Sequence, residues 1–152
     1  MTEADTSMKY KLINPHTGPD LVHTNQRIAE FLHEHLEQYG DPVSDILKCL
    51  DYVFNPEKGG HVLLGLDEDG NIIGAVIINH TGMSGYIPEN ILVYIALHKE
   101  HRGKGLGKQL MKQVIKLTKG DIALHVEADN HARFLYEKVG FTNPYLEMRL
   151  KR

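Results

Sequence analysis

The feature that most constrains this chain is a junction at residues 91–119, read ILVYIAL-HKEH-RGKGLG-KQLMKQVIKLTK. Residues 91–97 are continuously apolar and rich in β-branched and aromatic side chains, which predicts a strand covered on both faces. Leu106, Leu110, Val114 and Leu117, with Met111 and Ile115 beside them, repeat at helical spacing. Lys108, Lys112, Lys116 and Lys119 fall on the opposite side of that helix. Between strand and helix sits Arg102-Gly103-Lys104-Gly105-Leu106-Gly107. Glycines let backbone N–H groups approach a ligand closely, and a helix N-terminus already presents unpaired donors and the positive end of a dipole. The junction therefore predicts a cradle for an anion, with phosphate as its occupant.

Two familiar phosphate loops do not fit it. A Walker loop needs GxxxxGK[ST], but Arg102 stands where the first glycine should be and Gln109 where Ser or Thr is required. A GxGxxG dinucleotide fingerprint begins well at Gly103 and Gly105 and then meets Lys108 in place of its third glycine.

What remains is R-x-x-G-x-G at the end of a strand, opening a helix. In this the chain resembles the GNAT superfamily of acyl-CoA-dependent N-acyltransferases. The resemblance continues through residues 122–141, IALHVEADNHARFLYEKVGF, where the family pattern of Asn, Ala, Tyr and Gly-Phe falls on Asn130, Ala132, Tyr136, Gly140 and Phe141. It covers roughly the C-terminal third of the chain. The N-terminal part matches only in its order of elements.

That order is read from local signals. A first strand is expected within residues 8–14, broken by Pro15, Gly18 and Pro19. A helix over 26–39 carries Ile28, Leu32 and Leu36 on one stripe and ends at Gly40. A second helix starts after Asp41-Pro42 and stops at Asn55-Pro56. Strands at 61–66 and 72–79 flank an Asp-Gly hairpin turn. The polar connection at 80–90 leads into the strand at 91–97 and is expected to border the active cleft. After the basic helix come a strand at 122–126, a short helix and a final strand at 145–150. The resulting β-α-α-β-β-β-α-β-α-β order is that of the GNAT fold: an α/β (α+β) domain over residues 1–152. It implies a mixed, twisted sheet of about six to seven strands with helices on both faces.

Charge and composition narrow the partners. Residues 1–97 carry five Lys/Arg and fourteen Asp/Glu, a net −9, whereas residues 98–152 carry twelve and six, a net +6. The basic excess near the glycine turn suits the phosphates of CoA. Nucleic acid is not expected as a partner, because no aromatic residues interleave the basic run and the whole chain is acidic. Ten histidines invite a metal reading. There is no HExxH, however, and no Cys/His cluster at zinc spacing, so no metal is expected. Cys49, alone, rules out an internal disulfide and fits a reducing cytoplasm. No apolar run is long enough to span a membrane and MTEADTSMKYK does not read as a signal peptide, so a cytoplasmic protein is expected.

The resemblance implies transfer of an acyl group, acetyl or longer, from CoA to a primary amine by direct attack in a ternary complex. Backbone N–H groups of Arg102, Gly103, Lys104, Gly105, Leu106, Gly107 and Lys108 would bind the pyrophosphate, and the Arg102 side chain would contact it or anchor the loop. The backbone of Leu97 would pair with the pantetheine arm in the manner of an added strand. Asn130 would hydrogen-bond the arm or cap the following helix. Tyr136 would serve as general acid or simply pack. Some members place a Glu inside the strand before the loop, but here that position is Ile91. Glu89, at the strand's entrance, becomes the candidate base, with His98, His125 and Glu127 behind it. Acetyl-CoA and an amine acceptor are the implied partners, and a homodimer is open. Two other classes are compatible with the residues: an acyl-CoA-binding sensor without acceptor chemistry, and a nucleic-acid-binding module.

Overall fold

The computed structural model describes residues 8–152. Five strands form one sheet in chain order: β1 (Lys9–Ile13), β2 (Gly60–Leu66), β3 (Ile72–His80), β4 (Asn90–Leu97) and β5 (Ile122–Leu124). The first three pairings are antiparallel and β4–β5 is parallel. The helices are α1 (Asn25–Leu36), α2 (Val43–Phe54), α3 (Leu106–Leu117) and α4 (Ala132–Lys138). This is the expected mixed α/β architecture with fewer strands than the six to seven anticipated.

β2, β3 and β4 are apolar on both faces because helices cover both. On one side Ile28, Ala29 and Leu32 of α1 and Ile46, Leu50 and Val53 of α2 pack on Val62, Leu64, Ala75 and Ile77. On the other, Leu106, Leu110, Met111 and Val114 of α3 and Tyr136 of α4 pack on Leu63, Val76, Ile78 and Leu92. Thr24 starts α1 by accepting the Arg27 N–H on its hydroxyl, 3.2 Å away. The Asp-Gly turn between β2 and β3 closes on Asp67, whose Oδ1 accepts the N–H groups of Asp69 and Asn71 at 2.9 Å each. Cys49 is buried in α2, and burial pushes its thiol up to about 12, so it acts as a small packing group.

Two expectations fail. The strand at 122–126 is shorter, running only Ile122–Leu124. The final strand at 145–150 does not form: residues 142–152 are irregular and make no backbone hydrogen bond among the described residues. Its alternating apolar and polar residues favour an extended backbone, but a strand exists only where a neighbour completes its hydrogen bonds.

Two features of β4 position the site. Its register against β3 slips by one residue, with Ile78 opposite Leu92 and Ile77 opposite Tyr94, so Val93 forms a bulge. At the same point β4 loses β5. The parallel ladder runs from Asn90↔Ile122 to Leu92↔Leu124 and stops. From Val93 to Leu97 the outer edge of β4 faces a gap.

Candidate active site

The gap is lined by backbone. The His98 N–H donates to the Ile73 carbonyl at 2.8 Å, while Leu97 stands opposite Gly74. In an antiparallel ladder that arrangement turns the N–H and C=O of Leu97, and of Ile95 two residues earlier, away from β3. Both residues therefore direct polar groups into the gap. The Leu97 carbonyl accepts only a long bond from Arg102 Nη2, at 3.3 Å.

At the top of the gap the glycine turn presents more donors. None of the backbone N–H groups from Arg102 to Lys108 meets a protein acceptor among the described residues; the first helical bond of α3 is Gln109 N–H to the Gly105 carbonyl. Gly103 and Gly105 hold φ of 78° and 79°, and nothing lies within 4 Å of where a Cβ would sit. They are needed for the left-handed backbone that turns consecutive N–H groups inward. Gly107 differs. Its φ is ordinary, and a Cβ there would meet Leu135 Cδ2 at 3.3 Å and Leu97 Cδ1 at 3.5 Å, so it lets α3 approach β4 and α4. Lys104 and Lys108 are exposed beside the turn.

Arg102 does not reach into the cradle. Its Nη2 donates to the His35 carbonyl at 2.5 Å and its Nη1 to Glu37 Oε1 at 3.2 Å. Of its two expected roles, loop anchor is the one the side chain occupies. Sequence reasoning missed the other half of this clamp. His35 is buried, lies between the rings of Phe31 and His98 at 4.6 and 4.2 Å, and accepts the Lys99 N–H on Nδ1 at 3.2 Å. Burial and the nearby positive groups His98, Lys99 and Arg102 hold its pKa below the ordinary histidine value, partly offset by Glu34. Glu37 is the one non-glycine residue with positive φ among the described residues, at 55°. The end of α1 is thus bent to grip the loop. A signal existed: His35 continues the Ile28, Leu32 stripe at helical spacing.

The lower end of β4 is closed. Buried Asn90 donates from Nδ2 to the carbonyls of Lys119 and Asp121, at 2.6 and 3.1 Å, and from its backbone to Asp121. Glu89 Oε1 accepts the Asp121 N–H at 2.7 Å, which holds its carboxyl below the usual range. Glu89 lies four residues below the Val93 bulge, about 13 Å along the strand, with its carboxylate already engaged.

Tyr136 lies on α4. It is buried among Leu92, Leu106 and Leu110, with the Phe141 ring 6.1 Å away edge-on. Its hydroxyl makes no hydrogen bond among the described residues, and burial pushes its pKa up to about 12. Asn130 Oδ1 accepts the Ala132 N–H at 2.9 Å, and its amide NH2 meets no acceptor among the described residues. On the opposite rim, Tyr94 donates to Asp41 Oδ2 at 2.5 Å and Tyr39 to the Asp129 carbonyl at 3.3 Å. The turn after α1 therefore bridges to the loop after β5. His98, by contrast, accepts the Glu100 N–H on Nδ1 and belongs to the loop anchor.

The site is thus a bulged strand that outruns its parallel neighbour and ends in a glycine-rich turn with free donors. The chain matches the acetyltransferase (GNAT) family over residues 25–141, and it belongs to that family of N-acetyltransferases. A 57-residue stretch is 37% identical to a 5-NmdU N-acetyltransferase from Pseudomonas phage PaMx11, covering 36% of this chain and 41% of that protein. The chain thus aligns with about two-fifths of that relative's length. Among solved structures it is similar to an aminoglycoside N-acetyltransferase, AAC(6')-Iy, in complex with CoA, at TM-score 0.69 and 15% identity over 96% of this chain and 95% of that one. It is also similar to a ribosomal-protein-alanine N-acetyltransferase from Brucella melitensis biovar Abortus 2308, at TM-score 0.65 and 16% identity over 96% and 100%. At these identities the structures speak for the fold alone.

Proposed function

We propose that the protein transfers an acetyl group from acetyl-CoA to a primary amine by direct attack in a ternary complex. The observation that carries this reading is a continuous polar track through an otherwise apolar fold. Free N–H groups of residues 102–108 follow directly on the outward backbone of Leu97 and Ile95, and the unpartnered Tyr136 hydroxyl belongs to the same core cluster. The pyrophosphate sits on the loop, aided by the positive end of α3. The pantetheine arm takes the place of the missing strand, bonding Leu97 on one side and the free amide of Asn130 on the other. The thioester then lies beside the bulge at Val93.

Attack by the neutral amine forms the C–N bond and a tetrahedral intermediate, whose nitrogen then gives up its surplus proton to water. The C–S bond breaks and negative charge collects on the CoA sulfur. Tyr136 donates a hydrogen bond to that sulfur. Burial keeps its proton on across the physiological range. The same burial makes complete transfer to a thiolate of ordinary pKa, about 8.5, uphill, so the hydroxyl stabilises the developing charge before solvent delivers the proton. The amine, with a free pKa near 10, must lose a proton first. Glu89 serves this step through water rather than by contact, since its carboxylate is held on Asp121. Asp41 on the opposite rim attracts the ammonium form of the acceptor.

The test is thiol release from acetyl-CoA with an amine panel. The panel contains 5-NmdU, an aminoglycoside and a peptide with an N-terminal alanine, the acceptors that the relatives' names print. Amine-dependent release is expected with at least one cationic amine, and binding of CoA without any release would overturn the catalytic reading. With a productive acceptor in hand, Tyr136→Phe should lower kcat by roughly a hundredfold while CoA affinity stays within a few-fold. Full activity in that variant would return Tyr136 to packing.

A further inference from the structure

A polar cavity beside α1 takes no part in the acyl-transfer site. It is open, about 340 Å³ in volume, and lies between α1, the start of β3 and His98. Phe31 and Ile72 supply its apolar lining. Ile72 belongs to β3, so the cavity lies on the side of β4 away from β5 and the cofactor gap. His98 stands five residues past the bulge at Val93, roughly 16 Å along the chain.

The cavity meets a buried donor. His35 is 4% exposed and lines it. Its Nδ1 accepts the Lys99 N–H at 3.2 Å, so in the neutral ring the proton sits on Nε2. That Nε2–H finds no acceptor within hydrogen-bond reach among the described residues; Glu34 Oε2, on the same cavity, is 3.8 Å away. A buried donor is costly until something accepts from it. His98 repeats the pattern in a ring 4.2 Å away: its Nδ1 takes the Glu100 N–H at 3.1 Å, which puts the proton on Nε2.

Charges of both signs surround these donors. Arg27, Glu30 and Glu34 line the cavity from successive turns of α1. Among the described residues no ion pair joins the guanidinium to either carboxylate. Arg27 gives one N–H to the Val22 carbonyl at 3.4 Å, and its remaining N–H groups meet no acceptor among the described residues. An anion alone would leave the two glutamates unmatched, and a cation alone would leave the guanidinium and the imidazole donors unmatched. A carboxylate and an ammonium on one small molecule match both sets, with an apolar group left for Phe31 and Ile72.

We propose that this cavity binds a free α-amino acid with an apolar side chain, and that its occupancy tightens the hold on the glycine turn. The carboxylate takes Arg27 and the His35 Nε2–H, the ammonium lies toward Glu30 and Glu34, and the side chain rests on Phe31 and Ile72. His35 carries the coupling, because its ring accepts the Lys99 N–H and its carbonyl holds Arg102. A carboxylate that accepts Nε2–H draws that proton toward itself, which makes Nδ1 a better acceptor for Lys99. The coupling rests on the reading of residues 102–108 as the CoA cradle; the site itself does not.

Titration calorimetry on the full-length protein tests both halves, with L-leucine and L-phenylalanine as probes. At least one should bind. The amide of that amino acid lacks the carboxylate and its deaminated acid lacks the ammonium, so each should bind about tenfold more weakly or worse. Arg27→Gln, checked for native circular dichroism, should weaken the amino acid by a similar factor. Failure of both probes, equal binding of the truncated analogues, or indifference to Arg27→Gln overturns the site. Saturating amino acid should then tighten acetyl-CoA binding several-fold, and acetyl-CoA should tighten the amino acid by the same factor. An acetyl-CoA affinity that does not change overturns the coupling. Acetylation of the amino acid itself, seen as thiol release, overturns its assignment to a separate site. If acetyl-CoA fails to bind while the amino acid still does, the CoA reading falls and the cavity site stands.

Discussion

The two ends of β4 are built on opposite principles. At the lower end the backbone near Asn90 is paired: β5 pairs with residues 90–92, Asn90 spans two carbonyls of the turn before β5, and Glu89 takes the Asp121 N–H. At the upper end β5 is gone and the N–H groups of residues 102–108 are left open. The contrast shows how one strand serves both stability and binding. Unpaired backbone is costly when buried, so it persists only where a ligand or water completes it. The upper end is not loose for all that. The turn that carries the open donors is tied to α1 through Arg102, His35 and Glu37. The scaffold is thus held by side chains and the backbone is kept free.

The sharpest way to break this contrast is to fill the open end. Gly105→Asp forces a side chain onto a backbone with φ of 79° and points a carboxylate at the phosphate cradle. Binding of acetyl-CoA should be abolished. In thermal melts acetyl-CoA should raise the Tm of the wild type and leave the folded variant unmoved. An equal ligand-induced shift in both would remove the cradle from the loop.

Asn90→Ala makes the converse change at the closed end. It deletes two hydrogen bonds from a buried amide and leaves the Lys119 carbonyl without its protein donor. The expected cost is about 1–3 kcal/mol of stability, read as a lower Tm and denaturation midpoint. Affinity for CoA should hold within a few-fold, because the pantetheine track proposed above runs along β4 beyond Leu92. A variant of normal stability with weakened CoA binding would show that the two ends are not separable.

Acid distinguishes the ends by a smaller margin. Each has a buried histidine with a depressed pKa: His35 at the open end, and His61, bonded to Thr118 Oγ1 and facing His80, at the closed end. Burial is the leading cause in both. A histidine kept neutral in the folded state binds its proton more readily when unfolded. Stability therefore rises with pH between the depressed value and about 6.5, and is lost as pH falls below that. Protonated His35 gives up the Lys99 bond and repels Arg102, so CoA affinity should weaken several-fold from pH 7.5 to 5.5. His35→Gln should flatten that affinity profile and His61→Gln should not, as titration calorimetry at several pH values would reveal. A flat wild-type profile would uncouple His35 from the loop.

The parts of this molecule that were legible from its residues are those where a local pattern and its tertiary partner coincide. The apolar run of β4, the glycine turn and the stripe of α3 all appear at their expected places, because burial on two faces writes itself as an unbroken apolar run and burial on one as a helical stripe. Residues 145–150 were misread for the converse reason: alternation records a preference for extended backbone but not the presence of a neighbour. Arg102 sat in the right motif, yet its charge is spent on His35 and Glu37, residues more than sixty positions away that no spacing rule connects. Asn90 reads in sequence as the end of a polar loop, and only the turn at 119–121, brought alongside by the crossover, makes it a clasp.

The smallest expected effect concerns the lysines, where the contrast predicts that nothing happens. The open end is defined by backbone donors and by the first turn of α3. Lys112 and Lys116 lie on the exposed face further along that helix, opposite the side that Leu110, Met111 and Val114 bury against the sheet. Neither makes a salt bridge among the described residues. The attraction of a helix terminus for an anion fades within one turn, and exposed charges more than about 8–10 Å from a phosphate are largely screened at physiological salt. Lys112→Ala and Lys116→Ala should therefore bind CoA within a factor of two of the wild type in titration calorimetry. Weakening by a factor of ten, about 1.4 kcal/mol, would mean that a lysine side chain contacts a CoA phosphate directly. The binding surface would then extend along α3, and the division between a backbone-lined cradle and a solvated helix face would have to be redrawn.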